Sequence, residues 1–187
     1  MRLKQYINEE QRYSGHILPD IVWEECKPFI KEAKGVILWR GSERPIEGSY
    51  SKVKLKGGRK PRYISKQLHE WLGKELKKMF GWNPRTEGLF CGNKTIAENF
   101  NSTIYMIFPV GKNYKYIWVD DTSIYEYYDS KGYETDISDP ILVDNIRAEL
   151  RRYNDRAIHE FPQNNNKEAE CILKCKEYYM VKADWEI

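Results

Sequence analysis

The order of its periodic segments constrains this chain more than any single residue does. Apolar residues at helical spacing come first, Val22, Cys26, Phe29, Ile30 and Ala33 between Pro19 and the stop at Gly35, and the short β-type run Val36-Ile37-Leu38-Trp39-Arg40 follows. A second helix is predicted after Ser65, with Leu68, Leu72, Leu76, Met79 and Phe80 near one face and Gly81 closing it. Beyond it the chain reads mostly as strands: Gly88 to Cys91, Thr103 to Phe108, Tyr114 to Val119, Glu168 to Lys174 and Tyr178 to Lys182. One helix is inserted among them, opened by Asp139-Pro140 and continued by Leu142, Ile146, Leu150 and Tyr153. No regular strand–helix–strand alternation appears, so the pattern predicts an α+β fold over a doubly wound parallel sheet. The spacing of the Thr103 and Tyr114 runs predicts an antiparallel hairpin. At 187 residues, with no internal repeat or dividing linker, the chain is expected to form one domain, residues 1–18 being a lightly structured lead-in.

Charge narrows the function classes. Lysine and arginine number 31 against 28 acidic residues, a formal net charge of +3, too mild by itself to announce a nucleic-acid binder. The basic residues do cluster locally, from Lys52 through Lys54, Lys56, Arg59 and Lys60 to Arg62, in a predicted loop of about 20 residues. That tract, 52–62, reads either as a solvated loop or as an element steering an acidic protein or nucleic acid. Cys26, Cys91, Cys171 and Cys175 sit in apolar patterns without zinc spacing, and His16, His69 and His159 are scattered, so no metal is expected. No apolar run is long enough to span a bilayer and none resembles a signal peptide, which points to free thiols in a reducing cytoplasm and to no membrane partner.

Two segments carry candidate chemistry. In Lys167-Glu168-Ala169-Glu170-Cys171-Ile172-Leu173-Lys174-Cys175, strand alternation puts Ala169, Cys171, Leu173 and Cys175 on an apolar face. Glu168 and Glu170 then lie side by side on the other face, off the core. Such a pair can divide labour: one carboxylate stabilises positive charge developing on a sugar while the other activates a nucleophile. The alternative is a pair of solvated charges on a half-buried strand. Arg40, ending an apolar run before Gly41, can aim a guanidinium into a cleft and grip a diphosphate with two parallel bonds, or can end as an exposed strand-terminal arginine.

Leu38-Trp39-Arg40-Gly41 resembles the first-strand arginine motif of arginine-type mono-ADP-ribosyltransferases, including small bacteriophage-encoded members, and Glu168-Ala169-Glu170 resembles their late-strand Glu-x-Glu. Between them, Gly88-Leu89-Phe90-Cys91-Gly92-Asn93-Lys94-Thr95-Ile96-Ala97 falls where that family has a serine-containing strand; this chain has no serine there, and Cys91 or Thr95 stands in its place. The resemblance implies helices packed on two small, mainly antiparallel sheets around an NAD cleft. It implies that NAD is consumed as substrate, with ADP-ribose moved to a macromolecule, a protein arginine foremost, and nicotinamide released. Glu170 would bind the nicotinamide ribose 2′-hydroxyl and favour the oxocarbenium-like transition state, Glu168 would activate the acceptor, and Arg40 with Gly41 would hold NAD, with Phe90 and Cys91 lining its site. It also implies a toxin-like effector acting in a cytoplasm, the host's if phage-encoded. Transfer to RNA or DNA is a second enzymatic reading, and a non-enzymatic nucleic-acid-binding module a third.

Overall fold

The computed structural model describes residues 12–58, 64–101, 103–121, 137–163 and 167–183. Residues 1–11 of the expected lead-in and 59–62 of the basic tract lie outside them. A small hairpin, β1 (Arg12–Tyr13) and β2 (His16–Ile17), precedes α1 (Asp20–Ala33). Then come β3 (Leu38–Gly41), β4 (Tyr50–Lys54), α2 (Lys66–Phe80) and a single turn α3 (Pro84–Glu87). They are followed by β5 (Leu89–Gly92), α4 (Lys94–Phe100), β6 (Ile104–Pro109), β7 (Lys115–Val119), α5 (Pro140–Leu150), β8 (Glu170–Lys174) and β9 (Glu177–Lys182).

The helix signals act as their chemistry dictates. Ser65 accepts a bond from the Leu68 amide, Asp139 from the Ile141 and Leu142 amides, and Gly81 stops α2 in the left-handed conformation at φ 75°. Asn83 and Asn93 cap α3 and α4 in the same way.

Seven strands form one sheet in the order β4-β9-β6-β3-β5-β8-β7, and all its pairs are antiparallel. Two expectations change here. The runs 103–108 and 114–119 are not a hairpin: β6 pairs with β3 and β9, while β7 is the edge strand beside β8. After Pro109, which lacks an amide proton, the chain leaves the ladder, its Val110 amide bonding to Glu177 and its Gly111 amide to Glu25 of α1. The basic tract is not all loop either, since Tyr50–Lys54 is the opposite edge strand, paired with β9.

This sheet cannot be flat. β8 and β9 stand four strand spacings apart, roughly 19 Å in a flat sheet. Only Cys175 and Lys176 join them, and three Cα steps reach at most about 11 Å. The sheet must therefore curl, and its weak line is β3 against β5, where Trp39↔Gly92 is the one ladder pair. The four-stranded half β4-β9-β6-β3 and the three-stranded half β5-β8-β7 turn toward each other about that seam, the 170–182 segment passing between them at its bend. One core cluster draws on both halves, Leu38, Tyr105 and Met180 with Cys91, Cys171 and Leu173, and takes in α1 through Val22, Cys26 and Phe29. A second holds α2 and α5 against Ile117, Val119 and Ile172.

Candidate functional site

The seam gathers the three segments singled out in the sequence. Its one pair, Trp39↔Gly92, continues into Gly92↔Glu170, so residues from β3, β5 and β8 stand in one transverse row. Arg40 is next to that row and alternates to the other face of its strand, in line with Tyr105. Its guanidinium Nη1 donates to the Phe90 carbonyl at 2.5 Å, tying β3 to β5 where the ladder has stopped. Arg40 also lies close enough to Tyr178 to oppose the rise in that phenol's pKa, which burial nonetheless keeps above the ordinary value.

Glu170 opens β8 and is 2% exposed, the one buried carboxylate among the described residues. This corrects the expectation that it lies off the core. Its register partners Gly92 and Val119 put it on the face of Ile172 and Ile117, and that face is covered by α2 and α5. The Tyr153 hydroxyl donates to its Oε1 at 2.5 Å. Glu168 precedes the strand, is half-buried, and accepts from Asn99 Nδ2 of α4. The two carboxylates thus share a parity but are held by different elements, Glu168 by Asn99 of α4 and Glu170 by Tyr153.

Gly41 and Gly92 are small because α4 requires it. A Cβ on Gly41 would stand 2.6 Å from the Ala97 carbonyl oxygen, and one on Gly92 would stand 2.0 Å from Ile96 Cγ2 and 2.6 Å from the Ala169 carbonyl oxygen. Ile96 therefore fills the space above Gly92, between Trp39 and Glu170. Phe90 is half-buried, with the Arg85 guanidinium over its ring at 5.0 Å. Cys91 is closed into the core opposite Cys171. Burial drives the Cys171 thiol well above its usual value and those of Cys26 and Cys175 to about 12, so these three cysteines are protonated packing groups. Thr95, the other residue standing near the family's serine, is half-buried in the first turn of α4.

Three residues of the site were not singled out in the sequence. Asn93, 1% exposed, caps α4 through the Ile96 amide at 3.2 Å, donates Nδ2 to the Lys167 carbonyl at 2.5 Å and its own amide to Ala169 at 3.0 Å. It binds the end of β5, the start of α4 and the lead-in to β8 into one network. Its signal was readable, an Asn immediately before the helical turn. Asn99 and Tyr153 gave none, because what matters is a partner about 70 and 17 positions away, as the Glu168 and Glu170 bonds show.

A groove of about 410 Å³ bounded by Glu32, Phe80, Trp82, Tyr114 and Tyr116 shares no residue with this row. Of the basic tract, Lys52 is committed to Glu25 at 2.6 Å and lies near Glu177, whereas Lys54 and Lys56 are exposed. Among the described residues, no group of three or more His, Cys, Asp or Glu is placed to hold a metal, and no helix is long and apolar enough to cross a membrane. Compared with family models, curated proteins and solved structures, the chain matches none.

Proposed function

We propose that the chain is an NAD-dependent mono-ADP-ribosyltransferase whose reaction centre is the β3–β5–β8 seam. The observation that carries this reading is Glu170. Burying a carboxylate costs several kcal/mol before compensation, and an apolar side chain of similar volume serves stability as well or better. A carboxyl group kept in such a place is best understood by what it does. It also stands in one row with the segment bearing Arg40 and the segment bearing Phe90 and Cys91, three stretches far apart in sequence.

In this reading Glu170 holds the 2′-hydroxyl of the nicotinamide ribose and stabilises the oxocarbenium-like charge as the bond to nicotinamide breaks. Arg40 grips the diphosphate: the Phe90 carbonyl takes one of the guanidinium's five N–H groups, and a forked grip needs two more. Because Arg40 and Glu170 leave their strands on opposite faces and Ile96 fills the space above Gly92, NAD would have to displace Ile96 at the seam to meet both. Glu168 accepts the proton of the attacking nitrogen, a protein arginine foremost, with transfer to RNA or DNA as the variant reading.

The test is incubation of the purified chain with labelled NAD and a cell lysate beside Glu170→Gln, the products divided into protein and nucleic-acid fractions. Label retained with the wild type and absent from Glu170→Gln is the expected result, its fraction identifying the acceptor. A folded wild type that neither transfers label nor releases nicotinamide ends the transferase reading and leaves a binding module. Loss of nucleic-acid affinity on replacing Lys54 and Lys56 would then identify that module.

A further inference from the structure

We propose that Tyr153 is the positioning residue for the Glu170 carboxylate, an inference that rests on the transferase reading. The geometry behind it is a clamp. After α5 ends, the Tyr153 amide closes a turn on the Leu150 carbonyl at 3.1 Å. The chain then docks on β7: Trp118 and Asn154 exchange backbone bonds at 2.8 and 3.0 Å, and Asn154 Nδ2 adds a third to the Trp118 carbonyl at 3.1 Å. Trp118 Nε1 donates to the Arg156 carbonyl at 3.0 Å, and the Arg156 guanidinium covers the Trp118 ring at 4.9 Å. Tyr153 is thus held on one side by the turn onto Leu150 and on the other by Asn154 and Arg156, which contact Trp118, whose neighbour Val119 is the ladder partner of Glu170. The phenol, 6% exposed, meets the carboxylate from a turn held by five hydrogen bonds and one cation–π contact that do not involve Glu170.

The chemistry of the donor matters as much as its placement. A phenol contributes a hydrogen bond and no charge, so it orients a carboxylate and favours its ionised form without cancelling the negative charge. That is the requirement for a group facing a developing sugar cation, whereas a lysine or arginine in the same position would oppose that cation. A site built for stability alone would gain more from an apolar pair.

The experiment is steady-state nicotinamide release from NAD by wild type, Tyr153→Phe, Glu170→Gln and the double variant, each checked for folding by its urea midpoint. Tyr153→Phe is expected to lower kcat on the order of 10- to 100-fold while KM for NAD stays within about three-fold, the signature of an interaction made in the transition state. On the Glu170→Gln background the same change should cost nothing further. If Tyr153→Phe does not fold, Tyr153→His, which keeps a ring N–H donor, is expected to hold kcat within about ten-fold of wild type, and a folded Tyr153→His that raises KM at constant kcat overturns the positioning role. Unchanged kcat in the folded variant overturns the positioning role alone, as does a rise in KM at constant kcat. A wild type without turnover overturns the transferase reading and this inference together.

Discussion

Glu170 and Tyr153 make a stability prediction that is independent of catalysis. Glutamine keeps the volume and an acceptor for the Tyr153 hydroxyl, so Glu170→Gln should unfold within about 1 kcal/mol of wild type. Alanine removes the acceptor from a buried phenol and leaves a void, which should cost about 2–4 kcal/mol. Urea denaturation of both variants decides it, and a loss below about 1 kcal/mol for Glu170→Ala would show that the carboxylate is not held as described. The sequence was informative about parity here and not about cover. Alternation correctly assigned Glu170 and Cys171 to opposite faces, but which face is closed depends on α5 and its trailing turn arriving from 17 or more residues away. Arg40 was legible as a strand-end arginine, whereas its bond to the Phe90 carbonyl, 50 residues on, was not.

Among the elements, α4 is the one whose fit can be probed by adding a single methyl group. Gly41→Ala places its Cβ against the Ala97 carbonyl oxygen, a backbone atom that cannot rotate away, and should destabilise by about 1–3 kcal/mol or more. Gly57→Ala is the control: the nearest atom is the Thr86 carbonyl oxygen at 3.8 Å, an ordinary contact, and its midpoint should match wild type or rise slightly. Equal losses in the two would remove α4 from its place on β3. A second prediction concerns the tie between β7 and α1, where Tyr114 and Tyr116 both donate to Glu32. Burial first, and the Glu32 bond second, raise both phenols above their ordinary value of 10.0; Tyr179 is raised to about 12 in the same way, with Glu25 as its partner. A raised folded-state pKa contributes stability that is complete below the unfolded value and is lost as pH rises through the folded one. Denaturation midpoints should therefore hold level across neutral pH and fall above pH 10, and tyrosinate absorbance in the native protein should show a late-titrating class. Native tyrosines that all ionise near pH 10 would refute it. Helices were readable from caps at Ser65 and Asp139 because capping is local, while β6 and β7 were misread as a hairpin because pairing is not. β4 was hidden by its lysines, although Tyr50-Ser51-Lys52-Val53-Lys54 alternates exposed with half-buried positions and carries a two-residue period.

At the scale of the whole molecule, the curled sheet raises the question of whether its halves are one folding unit or two. The seam itself argues for two, since a single ladder pair and the Arg40–Phe90 bond are little to hold strands together. Three features argue the other way. The segment 170–182 serves as β8 in one half and β9 in the other, so neither half keeps its full set of strands alone. The larger core cluster contains residues of both, and α1 reaches both, through Phe29 on Phe108 of β6 and through Glu32 on Tyr116 of β7. Opening the seam would expose that shared core, at roughly 25 cal/mol for each Å² of apolar surface, far more than the seam's own bonds contribute. Cooperative, all-or-none unfolding follows. Tryptophan fluorescence reports on side-chain surroundings in both halves, Trp39 in one and Trp82 and Trp118 against the other among them, while far-ultraviolet circular dichroism reports on backbone secondary structure, so the two signals sample different features of the molecule. Their urea transitions should coincide. Separated midpoints, or a plateau between them, would mean that the halves unfold independently and that the row from Trp39 to Glu170 is assembled by docking, not built into a single fold.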